Sequence, residues 1–158
     1  EAYEIVLAAQ AAAIAQCQVG KNFLEPHEAA LEILTQGLFD MKILQHHLHG
    51  STAEAIQAKL YQPYYMHRTS HWLGMDVHDV GEYKVADVWR EFVPGMVTTI
   101  EPSLYFPPSN LRIPAEFRGI GVRIEDDVAV TRGAPEVLTG ALVKDADGIE
   151  AFIAAARR

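Results

Sequence analysis

The sequence predicts an α+β fold, and two observations predict it. Residues 1–61 are rich in alanine, glutamine and leucine, with apolar side chains at helical spacing. From residue 62 onward, prolines, glycines, aromatics and β-branched residues take over in short strand-like runs. Helices first and strands later indicate α+β rather than an alternating parallel sheet.

Residues 1–18 are predicted as a helix, with Tyr3, Val6, Leu7 and Ile14 on one face and Gly20 as the stop. A second helix opens near Pro26, whose missing N–H would lack an intrahelical partner in the first turn anyway, and runs through Lys42. Ala30, Leu31, Leu34 and Leu38 form its apolar stripe. His46, His47 and His49 read as a polar turn between helices. Ser51 and Glu54 then give a Ser-x-x-Glu start to a third helix reaching Tyr61. Strands are predicted at 97–101, 103–106, 120–125 and 127–131, with Pro107–Asn110 as a loop. The chain returns to helix from Asp145 to Arg158, with Ile149, Phe152 and Ile153 as the apolar stripe.

A chain of 158 residues, 49% hydrophobic and 22% charged, fits one globular domain that buries about 68–70% of its unfolded surface. Its net charge of -8 argues against a nucleic-acid or anionic-membrane partner, which calls for a basic face. Cys17 is the only cysteine, so no intrachain disulfide forms and a reducing compartment is expected. With no apolar run near the ~20 residues of a membrane span and no basic leader, the expected location is cytoplasmic. The chain starts without Met and inside a helical pattern, so a piece of a longer protein is expected.

Chemistry concentrates in three segments. HRTSHWLGMDVHD, residues 67–79, holds His67, His71 and His78. His67 and His71 stand four apart, but the segment lacks the Glu of a helical His-Glu-x-x-His zinc site. Taken singly, each histidine is also compatible with an ordinary polar loop. Glu101 ends a β-branched run before Pro102. Arg123 and Glu125 alternate with Val122 and Ile124, so a strand places both on one side; alone, that also describes the solvent face of a half-buried sheet. Together, one histidine and two glutamates make an oxygen-rich set suited to a hard divalent ion such as Mn²⁺. A carboxylate bridging two ions about 3.5–4 Å apart would form a two-metal clamp.

YYMHRTSHWLGMDVHDVGEY, TTIEPSLYF and FRGIGVRIEDDVAVT resemble, in order and interval, the three C-terminal motifs of the pita-bread metallopeptidases. Within that group the bacterial aminopeptidase P type is most similar, and the resemblance runs over essentially the whole chain. It implies the C-terminal portion of a pita-bread fold, with helices packed on a curved, mainly antiparallel sheet. It also implies two divalent ions, expected to be Mn²⁺, with His71, Glu101 and Glu125 as ligands and Glu125 bridging. Glu101 would double as proton shuttle, His67 would stabilise the tetrahedral intermediate, and His78 would hold substrate near the scissile bond. Arg123 would orient the carboxylates.

The implied reaction is release of the N-terminal residue from Xaa-Pro peptides by dimetal-activated hydroxide attack. Prolidase, acting on Xaa-Pro dipeptides, and a non-catalytic binding scaffold are the alternatives. Scaffold relatives typically lose metal ligands, and this chain keeps His71, Glu101 and Glu125. The family's two aspartate ligands and a further active-site histidine belong to an upstream half outside this sequence. The chain alone is therefore expected to be incomplete and inactive, and to pair with that half or with a second copy. Ser103 stands where the family usually has Gly, so the turn beside Glu101 is expected to differ.

Overall fold

Helix α1 spans Ala2–Ile14 in the computed structural model, which describes residues 1–157. Its buried face is Ala2, Val6, Ala9, Gln10 and Ala13, whereas the bulkier Tyr3, Leu7 and Ile14 only edge the core. The correction follows from close packing against helix α2 (Glu25–Asp40). A Cβ added at Gly37 of α2 would run into the Ile5 side chain, so small residues set the spacing. α1 also ends before the predicted Gln18. Tight turn bonds from Gln16 and Cys17 to Ala13 and Ile14 pull Cys17 into the core instead. Burial there pushes its thiol up to about 12.

α2 buries the predicted stripe Ala30, Leu31, Leu34 and Leu38, and carries Pro26 in its first turn. The histidine cluster is the predicted turn between helices, wound as a single helical turn, α3 (His46–His49), and His46 stacks on Phe39 with ring centres 4.1 Å apart. Helix α4 (Thr52–Gln57) opens on the predicted capping box of Ser51 and Glu54. It stops short of Tyr61 because Lys59 turns left-handed at φ 57°.

Two small ribbons escape sequence patterning: β1 (Leu73–Gly74) with β2 (Val77–His78), and β3 (Lys84–Val85) with β4 (Val88–Trp89). Two-residue strands carry no readable period. β5 (Val97–Ile100) and β6 (Ser103–Tyr105) follow, then β7 (Gly121–Arg123), β8 (Asp126–Ala129) and β9 (Glu136–Val137). All pairings are antiparallel, in the order β5-β8-β9 and β6-β7. The predicted strand 120–125 thus ends at Arg123, ahead of a break at Ile124 and Glu125, and the predicted strands 97–101 and 103–106 are separated by a break at Glu101 and Pro102. Proline lacks the N–H a ladder needs, which explains the second break.

The register nonetheless runs through both breaks. Ile100 pairs with Asp126 and Ser103 with Arg123, so Glu101 comes opposite Glu125. Even-numbered Ile100, Leu104 and Phe106 point into the core, all under 2% exposed. The alternate positions face the other way.

Asp126 anchors this frame. At 1% exposure, its carboxylate accepts from Gln10 Nε2 (3.0 Å), Thr139 Oγ1 (2.5 Å) and Lys144 Nζ (2.8 Å). One buried charge therefore ties α1, β8 and the approach to the last helix, α5 (Ala146–Ala156). Asp145 caps α5 by accepting from the Gly148 N–H at 2.7 Å. The predicted stripe of α5 is not buried: Phe152 is 70% and Ile153 43% exposed, because no described element covers it. Arg158, the last residue of that predicted helix, lies outside the described residues.

Candidate metal centre

Three neighbouring extended segments bring the donors together. The stretch 69–72 runs beside β5: the Glu101 N–H donates to the Thr69 carbonyl (2.7 Å) and the Thr99 N–H to the His71 carbonyl (2.9 Å). Trp72 bridges to Thr98. On the other side of Glu101 stands Glu125, placed by the continuous register. His71, Glu101 and Glu125 each offer a ligand atom, and these lie within 4.8 Å of one another.

The orientation of each donor has a cause. His71 Nδ1 donates to the Trp72 carbonyl at 3.0 Å, an acceptor only, so in the neutral ring the lone pair sits on Nε2. Nε2 points at Glu101 Oε1, 3.2 Å away. Glu101 is 9% exposed and is gripped by Thr99 Oγ1 (3.2 Å) and the Arg123 guanidinium (3.4 Å). Glu125 is held above the usual carboxylate range, first by desolvation and then by the facing Glu101 charge, with Arg123 and His71 acting the other way. Two carboxylates directly opposite on paired strands repel unless a cation joins them. Arg123 itself is shifted upward: burial opposes this, but its bonds to Tyr105 and the nearby Glu101 and Glu125 outweigh it.

Around the triad stand the other predicted residues. His78 lies across the His71 ring, edge to face at 4.2 Å, at the end of the β1–β2 ribbon. That ribbon requires Gly74, where a Cβ would sit 2.5 Å from the His78 carbonyl carbon and the Asp79 nitrogen. His67 Nδ1 donates to the Arg68 carbonyl at 2.7 Å. Its Nε2 therefore accepts in the neutral ring, with Ser103 Oγ at 2.7 Å and Tyr105 Oη at 3.0 Å. Ser103 is fully buried and does not disturb the turn beside Glu101; it keeps the ladder register and holds His67.

Sequence reading missed Thr99, Tyr105 and this use of Ser103, although a signal was present. Along TTIEPSLYF, residues 99, 101, 103 and 105 share one strand face, and all four make contacts of this site.

His71, Glu101, His67, His78 and Arg123 line one cavity of about 790 Å³, roomy enough for a short peptide. One imidazole nitrogen and two facing carboxylates fit a hard divalent ion. Among the described residues, these are the only three such side chains that converge, fewer donors than a two-ion centre needs.

Behind His67, a buried network braces the segment. His27 Nδ1 lies 2.9 Å from Thr69 Oγ1, which is 2.6 Å from Tyr65 Oη. Desolvation, with the Arg68 and His67 charges, lowers His27 from 6.5 to about 4. The folded state thus binds this proton less well than the unfolded chain. Its contribution to stability is full above about pH 6.5, declines as pH falls, and is lost below about pH 4. Between pH 7 and 4, wild type is expected to lose about 3 kcal/mol more than His27→Gln in urea unfolding. Equal losses would contradict this.

The profile of Metallopeptidase family M24 matches residues 1–132. The chain belongs to this family. An Xaa-Pro aminopeptidase of Escherichia coli (strain K12) is 41% identical over 158 residues, covering 100% of this chain and 34% of that protein. One from Haemophilus influenzae is 40% identical over 150 residues, 95% of this chain and 34% of the relative. Among solved structures, aminopeptidase PepP of Pseudomonas aeruginosa superposes with a TM-score of 0.93 at 47% identity, over 99% of this chain and 34% of that one. Escherichia coli aminopeptidase P with the inhibitor Pro-Leu gives 0.90 at 41% identity, with the same coverage. This M24 chain has the predicted α+β, pita-bread-type fold, and spans about a third of the length of the curated relatives it matches. No described helix is long and apolar enough to cross a membrane.

Proposed function

We propose that the parent protein is a metal-dependent aminopeptidase releasing the N-terminal residue from Xaa-Pro peptides, and that this chain carries part of its catalytic centre. The observation that carries the reading is the convergence of His71, Glu101 and Glu125, with His71 and Glu101 lining one cavity beside His67 and His78. Identity of 41% to a protein named Xaa-Pro aminopeptidase supports the substrate class.

His71, Glu101 and Glu125 would hold the metal, proposed as Mn²⁺, with Glu125 as the carboxylate that would be shared between two ions. When bound, such a pair supplies an activated water and polarises the scissile carbonyl. Glu101, clamped by Thr99 and Arg123, takes the proton of the attacking water and returns it to the leaving proline nitrogen. His67, anchored through Nδ1 on the Arg68 carbonyl, stabilises the substrate carbonyl oxygen as it gains charge. His78, set edge to face against His71, holds the substrate beside the scissile bond. The donors still needed for two ions come from an upstream part of the parent protein, so this chain alone is inactive.

Metal-loaded full-length protein is expected to cleave an Xaa-Pro-Yaa tripeptide faster than an Xaa-Pro dipeptide. The reverse preference would make it a prolidase. Tight peptide binding without turnover would make it a scaffold.

A further inference from the structure

The cavity that holds His71 and Glu101 is also lined by residues of a different chemistry. Trp89, at the end of β4, is approached by two cations: the Arg68 guanidinium is 4.8 Å from its ring centre and Lys84 Nζ is 4.6 Å from the same centre. All three residues line the cavity that contains His71 and Glu101. Neither cation belongs to any ion pair among the described residues. The ring holds both side chains in place by cation–π attraction while leaving their charge unneutralised.

Trp89 is itself placed firmly. Its strand pairs with β3 through Lys84 opposite Trp89. β3 begins next to Tyr83, which stacks on Trp72 with ring centres 5.9 Å apart and meets Phe23 at a tilt, 4.8 Å away. The two cations and their shared ring are therefore mounted on an aromatic floor continuous with the segment that bears His71.

We propose that Arg68 and Lys84, both held against Trp89, form a carboxylate-recognition subsite for the part of the peptide downstream of the scissile bond. This rests on the aminopeptidase reading above. With the peptide N-terminus at the triad, the downstream portion occupies the remainder of the same cavity and reaches these residues. The recognised group is a carboxylate, supplied either by the free C-terminus of a short peptide or by an acidic side chain of a longer one. Two solvent-accessible charge contacts favour such peptides by roughly three- to tenfold, expressed in KM rather than kcat, because the contacts lie away from the reacting bond.

The test uses full-length, metal-loaded protein and two substrate pairs. One pair is an Xaa-Pro-Leu tripeptide as free acid and as amide. The other is a pentapeptide amide with Glu or Gln directly after proline. The expected result is a KM about three- to tenfold lower for the charged member of at least one pair, shrinking as salt rises, with kcat within about twofold. Preference in the first pair alone assigns the subsite to C-termini, and preference in the second alone assigns it to acidic side chains. In the Arg68→Gln/Lys84→Gln double variant, the ratio within the pair collapses to one. Cleavage of both pairs with no charge preference, or a preference that survives the double variant, overturns the subsite while leaving the aminopeptidase reading intact. Failure to cleave any of the four peptides overturns both.

Discussion

Glu101→Gln in the full-length, metal-loaded protein is expected to lower kcat on an Xaa-Pro-Yaa peptide by about 10²–10⁴-fold, the range for loss of a positioned proton-transfer group. The substitution keeps the size of the side chain and removes its charge. Arg123, 3.4 Å away, and His71 Nε2, 3.2 Å away, then face a neutral amide. KM should change much less than kcat, because the group acts on the reacting bond rather than on the rest of the peptide. Steady-state kinetics on wild type and variant, with metal content measured in both, checks this. A variant that keeps its metal and retains more than a tenth of wild-type kcat would show that Glu101 does not move the proton.

The second large effect is structural. Asp126→Ala removes the one carboxylate that Gln10, Thr139 and Lys144 share, and leaves all three donors without it. Breaking a buried pair from one side costs about 3–5 kcal/mol. The expected result is a fall of roughly 1–3 M in the urea midpoint. Adding Lys144→Met should recover part of the loss, since the stranded charge is gone. A shift below about 0.5 kcal/mol, the size expected of a surface substitution, would remove Asp126 from the account of how the sheet is held.

Much of this was legible in the residues, for reasons that can be named. The stripe Ala30, Leu31, Leu34 and Leu38 is periodic, so α2 could be read directly, and Ser51 with Glu54 marked the start of α4 by their own hydrogen bonds. The three donors were legible because they sit in strongly worded segments. What the sequence could not supply was register. Nothing local says that Glu101 comes to face Glu125 across the bend; that follows from the pairing of Ile100 with Asp126 and Ser103 with Arg123. The face of α1 was misread for a related reason. Its alanines are buried because Gly37 lets α2 come close, a tertiary fact that outweighs side-chain bulk. The expected core stripe of α5 failed in the opposite sense, since apolar Phe152 and Ile153 lack a described element to pack against.

In the proposed reaction, His71, Glu101 and Glu125 would serve a metal that supports Xaa-Pro hydrolysis. The most direct test is release of the N-terminal residue from an Xaa-Pro-Yaa peptide by full-length protein, before and after chelation and after Mn²⁺ is restored. The account predicts release that stops on chelation and returns with the metal. Release that persists in the fully chelated protein, or its absence in the metal-loaded one, would contradict it.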